Sequence, residues 1–197
     1  MRKMVKTLAL ITVTVLSFKT IYSQPQEAIA SSFGSDFKKV MEDYSSHFSH
    51  FTGNIIIENP QSVDYACNCK VEGAEESTIT RYNSKHHNIV SWQAVMLSTD
   101  DFAAAKKKFN SLFGQLNNLP VNIGHSNNYR LKGVYEQPVE EKKFTTIFFS
   151  FTPVDESTKN LKAELSVEFY APMEWKVKVL IYNRDRKDNE RGKTIED

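Results

Sequence analysis

Residues 161–170 read LKAELSVEFY, with Leu161, Ala163, Leu165, Val167 and Phe169 alternating with Lys162, Glu164, Ser166 and Glu168. A period of two is the repeat of a pleated strand with one face in a core and the other in water. A lone strand of this kind is not stable, and the chain supplies partners. Comparable runs lie at 54–58, 63–71, 78–82 and 88–97, and again at 129–136, 144–152 and 175–182. The separators NPQS, EGAEE, NSKHH, QPVEEK, PVDESTKN and APME are rich in turn-forming residues. Connections this short join spatial neighbours, so the expectation is antiparallel meanders.

Two other stretches repeat at the helical period. Phe33, Phe37, Val40, Met41 and Tyr44 predict an amphipathic helix over 27–46. Phe102, Ala105, Phe109, Leu112, Phe113 and Leu116 predict a second, capped by Ser98 or Thr99, with Asp100 and Asp101 in its first turn and Asn117, Asn118, Leu119 and Pro120 as its stop. The expected fold class is therefore α+β, two amphipathic helices each followed by an antiparallel meander of about four strands. Asp36-Phe37 aligns with Asp101-Phe102, Tyr44 with Phe109, and Ser46-x-Phe48 with Ser111-x-Phe113, which fits a tandem α-β-β-β-β repeat over 27–97 and 98–182.

The amino terminus has a different layout. Arg2, Lys3 and Lys6 precede an apolar run from Thr7 to Phe18 that Lys19 ends, as in a secretory signal peptide. The run falls short of the ~20 apolar residues that a spanning helix needs. Ser23 is a small residue in the right place, so residues 1–23 are expected to be removed and Gln24 to begin the mature chain, in the periplasm or outside the cell. Cleavage would remove Arg2, Lys3, Lys6 and Lys19, leaving 21 basic against 24 acidic residues and a net charge of −3. An acidic chain is a poor nucleic-acid binder, and the run Lys106-Lys107-Lys108 spreads around a helix rather than forming a patch. Hydrophobic content of 40%, with 13 Phe and 8 Tyr, supports one core over 24–182. Residues 183–197 are polar and read as a flexible tail.

The only two cysteines lie in VDYACNCKV, where Val63, Tyr65, Cys67, Cys69 and Val71 share the apolar face of one strand. Side chains two apart on a strand are ~6.8 Å from each other, whereas a disulfide wants Cβ atoms at ~3.8 Å. A regular strand leaves both thiols reduced. Export favours a bridge instead, and a metal or redox site is the third alternative.

His47 and His50 have a spacing that suits two ligands on one side of a helix, but they stand where a helix ends, and a capping or surface role fits them better. His86, His87 and His125 fall in loops. The chain has no His-Glu-x-x-His, Gly-x-Ser-x-Gly, Walker or Gly-x-Gly-x-x-Gly signature. No catalytic residue, metal ligand or cofactor is nominated. A small hydrolase or metal-binding protein built on the loop histidines is the competing class.

Two strand segments carry apolar residues on both sides. In FTTIFFSFT, Phe144 and Phe148 oppose Ile147, Phe149 and Phe151; in IVSWQAVML, Val90, Trp92, Ala94 and Met96 oppose Ile89, Val95 and Leu97. Either the two half-sheets fold over each other or loops shield the aromatics, or Trp92, Met96, Phe144 and Phe148 form an apolar site for a protein, a peptide, an apolar small molecule or a second copy of the chain.

The order helix, meander, helix, meander over 27–182 of a small exported chain is similar to the tandem layout of β-lactamase inhibitory proteins and their peptidase-propeptide-like relatives, and more loosely to secretion chaperones. The resemblance is one of arrangement and carries no shared motif and no residue role. It implies binding rather than catalysis, and the expected function is an exported, non-catalytic binding or interaction module.

Overall fold

The computed structural model describes residues 32–83, 89–124 and 126–183. The signal segment, the tail, His86, His87 and the His125 side chain lie outside the described residues. Helix α1 (Phe33–Asp43) leads through a 3-10 turn to β1 (Thr52–Asn59), β2 (Ser62–Cys67), β3 (Glu76–Tyr82) and β4 (Ile89–Thr99). Helix α2 (Phe102–Leu116) then leads to β5 (Pro120–Ile123), β6 (Ser126–Gly133), β7 (Phe144–Thr152), β8 (Leu161–Tyr170) and β9 (Glu174–Asn183).

All nine strands join one antiparallel sheet in the order β1-β2-β3-β4-β9-β8-β7-β6-β5. This corrects the expected α+β class. Among the described residues the fold is mostly a single nine-stranded sheet with two short helices, not two helices each followed by its own four-strand meander. Two physical reasons account for the difference. Strands β4 and β9 are long and would each leave an open edge, and pairing them from Ser91↔Tyr182 to Thr99↔Trp175 removes both edges. The stop after α2 is also itself a strand: Pro120 begins β5, where an edge position makes its missing N–H harmless. The half-sheets therefore meet edge to edge rather than folding over each other.

Helix ends differ from expectation as well. Helix α1 is confined to 11 residues and lacks a side-chain cap at Ser32. Helix α2 is capped by Asp101, whose carboxylate accepts the Ala103 N–H at 2.8 Å, while the Thr99 hydroxyl accepts the Asp101 N–H at 3.1 Å.

Both helices cover the same face. Phe37 meets Trp92 edge-on at 6.2 Å, Phe113 lies 5.9 Å from Phe149, and Phe102 lies 4.8 Å from Trp175. Phe109, Leu112 and Leu116 of α2 join Val177, Val179 and Ile181 of β9 in one core. Each such aliphatic or aromatic side chain contributes about 1.5–3 kcal/mol on burial, which explains why packing sets helix placement despite the poor cap on α1. Gly133 is needed opposite Phe149: a Cβ there would stand 2.7 Å from the buried ring. Asp36 is buried in α1 without loss because Lys39 bonds it at 2.9 Å and the Glu72 N–H at 3.0 Å.

Candidate functional site

The register settles which side chains share the second sheet face. Phe148 pairs with Glu164, Glu164 with Leu180, and Leu180 with Gln93; one residue along, Phe149 leads through Ala163 and Ile181 to Trp92. Phe148 and Trp92 are thus on opposite faces. The four residues expected to form one apolar site are divided. Trp92 (0% exposed) and Met96 (2%) belong to the core under the helices, whereas Phe144 (65%) and Phe148 (44%) stand in the open on the face that neither helix touches.

The second apolar side of β4 has a local cause. A register shift between Val95 and Leu97 lets Val95 oppose Lys178 and Leu97 oppose Val177, so the bulge returns Leu97 to the core side. On the helix-free face, small residues are shielded by longer neighbours: Ser91 lies opposite Tyr182, and Lys178 lies opposite both Val95 and Ser166. Strand β7 has no such bulge, and its two outer phenylalanines are left uncovered.

A polar cluster lies beside them. Phe144 pairs with Glu168, and Glu168 accepts hydrogen bonds from Lys178 at 2.7 Å and from the Tyr170 hydroxyl at 2.6 Å. Lys178 also donates to the Tyr170 oxygen at 2.6 Å, and the ammonium groups of Lys176 and Lys178 sit 5.5 and 5.2 Å from the Tyr170 ring centre. Burial works against the charge on Glu168, but the Lys178 ammonium and Tyr170 hydroxyl outweigh it and hold the carboxyl below its ordinary range. Burial likewise opposes the charge on Lys178, and Glu168 and Tyr170 reverse the balance and raise it. The face thus offers two exposed aromatic rings next to an ordered, charged cluster. Sequence reasoning missed Tyr170, Glu168 and Lys178 because the cluster depends on hairpin register: Tyr170↔Glu174 and Glu168↔Lys176 put Lys178 on the diagonal from Glu168.

The other expected sites are scattered. His50 engages the buried Asp43 carboxylate, and His47 is an exposed residue in the left-handed conformation. Among the described residues, no three His, Cys, Asp or Glu side chains converge as a metal site would require. Strand β2 ends at Cys67, so Cys69 lies beyond it; both thiols are free and half-buried against the core. Burial, with the neighbouring Cys67 and Asp36, pushes the Cys69 thiol up to about 11. A shallow cleft of about 280 Å³ lies between the start of α1 and α2, lined by Phe33, Glu72, Gly73, Lys108, Ser111 and Leu112. It is smaller than usual ligand pockets, and its one ammonium, on Lys108, is engaged by the Gly73 carbonyl at 3.2 Å. No described helix is long and apolar enough to cross a membrane.

The chain matches no protein-family model, no curated protein and no solved structure. The residues themselves carry the functional argument.

Proposed function

We propose that this protein is an exported, non-catalytic interaction module whose contact surface is the helix-free sheet face around Phe144 and Phe148. The observation that carries this reading is the exposure of two phenylalanines on one side of β7, four residues apart, while Ile147, Phe149 and Phe151 between and beyond them supply the core. Folding does not require those two rings, and leaving them in water costs solubility. An exposed aromatic pair edged by a partly buried ion pair is the composition of a protein contact surface, in which aromatic anchors sit beside ordered polar groups. The partner class is a protein or peptide, because a small apolar molecule needs enclosure on most of its surface and an open sheet face offers little. Export rests on the amino-terminal charge and apolar pattern alone.

The test is photocrosslinking in the native host with a benzophenone amino acid at position 148, and at Lys107 on the exposed side of α2 as the control. A discrete protein adduct from position 148 and none from position 107 supports the reading. Equal or absent adducts at both positions would overturn it.

A further inference from the structure

The helix-free face changes character along β7. Phe144 and Phe148 occupy its first half, and Ser150 and Thr152 follow on the same side. Past Phe148 the neighbours are cations: on β6, Lys132 pairs with Ser150 and Arg130 with Thr152. On the other flank, Lys162 of β8 stands one residue past the pairing Phe149↔Ala163, next to Ser150. None of these three cations meets a carboxylate among the described residues. Arg130 donates to the Asn118 carbonyl at 3.2 Å and Lys132 to the Asn118 side-chain oxygen, both neutral acceptors, and Lys162 has no partner. The lysines at the other end of this face differ, because Lys178 is paired with Glu168 and Lys176 with Glu174. From β6 to β9 the positive charge left without a counter-ion therefore lies at the Ser150 end of β7.

We infer that the partner is a protein segment that is apolar at one end and acidic at the other. Its apolar side chain packs on Phe144 and Phe148, and an Asp or Glu carboxylate ~7–14 Å further along, the length of two to four strand residues, meets Lys132, Arg130 or Lys162. The inference rests on the contact surface proposed above and adds the chemistry of what binds there. Acids beside the rings argue against a polyanion. Glu164 pairs with Phe148 and Glu168 with Phe144, so a phosphate backbone or an anionic lipid surface laid over the face would meet carboxylates as well as cations. A peptide can confine its negative charge to the end that lies over β6.

The test keeps the benzophenone at position 148 in the native host and reverses the charge around it. In Arg130→Glu/Lys132→Glu, and separately in Lys162→Glu, the yield of the protein adduct should fall about tenfold, while Lys106→Glu/Lys107→Glu on α2 should leave it unchanged. Denaturation midpoints at the native value confirm that the variants fold. Lys162 makes no bond that its replacement would break, so that variant reports on charge even if losing the Asn118 contacts unsettles the other. Mass spectrometry of the adduct should find an Asp or Glu within about four residues of the crosslinked position. An adduct of unchanged yield in both variants, or one whose crosslinked segment has no acid, would overturn the inference and leave the contact surface standing. An adduct to lipid or nucleic acid would overturn it too. No adduct from position 148 in the otherwise native chain would overturn both the inference and the contact surface beneath it.

Discussion

Phe148 and Phe149 are adjacent in the chain and on opposite faces of one strand: Phe149 is fully buried under α2, whereas Phe148 keeps 44% of its surface in solvent. Two residues of the same type thus have different roles. Phe149→Ala should cost about 3–5 kcal/mol, the usual figure for emptying an aromatic core site. Phe148→Ser should change stability by only ~0.5 kcal/mol, as surface substitutions do. Urea denaturation of both variants checks this, and equal losses would show that the outer ring is also structural.

The Glu168–Lys178 pair sets a pH dependence with a definite sign. Glu168 is held below its ordinary value in the folded state, so its stabilising contribution is full above the unfolded glutamate range and fades as pH falls through the lowered value. Lys178 is raised, so its contribution is full below the unfolded lysine range and fades as pH rises through the raised value. Glu168→Gln should therefore lower the urea midpoint at neutral pH and leave it nearly unchanged in strong acid. A constant offset from wild type at every pH would contradict the pairing.

The cysteine thiols should react slowly with alkylating reagents in the folded protein. Cys69 is pushed up to about 11 by burial and by its neighbours Cys67 and Asp36, which leaves little thiolate at neutral pH. Denaturation should make both thiols react quickly. A mass two units low with no free thiol after unfolding would show that the oxidising compartment had joined Cys67 to Cys69.

Export predicts a mature chain that begins near Gln24. Intact-mass measurement of protein recovered from its host checks this. Recovery with residues 1–23 still attached would sink the assignment and, with it, the periplasmic or extracellular setting of the proposed partner.

Strand periodicity was readable in the longer strands: the alternation in Leu161–Tyr170 and the apolar run in Phe144–Thr152 correspond to β8 and β7 over the same residues, whereas the four-residue β5 was too short to show it. Pairing between distant strands was not readable, because nothing local in β4 or β9 specifies that Trp92 lies beside Ile181. That single long-range choice makes one sheet from what would otherwise be two meanders, and it also separates Trp92 and Met96 from Phe144 and Phe148. Bulges were equally hidden. A strict period of two places Leu97 opposite Met96, but the shift at Val95–Leu97 returns Leu97 to the core side. Of the expected residues Trp92, Met96, Phe144 and Phe148, the outward placement of Phe144 and Phe148 was legible because they exceed what one buried face needs. The polar cluster of Glu168, Tyr170 and Lys178, which was not expected, depends on the β8–β9 register, which the turn after Tyr170 encodes only through its length.

The most direct test of the contact surface is photocrosslinking from position 146, between the two phenylalanines, compared in the otherwise native chain and in the Phe144→Ser/Phe148→Ser background. Thr146 shares their face through its pairing with Ser166. A discrete protein adduct that disappears in the double variant, while the denaturation midpoint of that variant stays at the native value, is the expected result. An adduct of equal yield in both backgrounds, or none in either, would contradict the claim that these two exposed rings are what the partner grips.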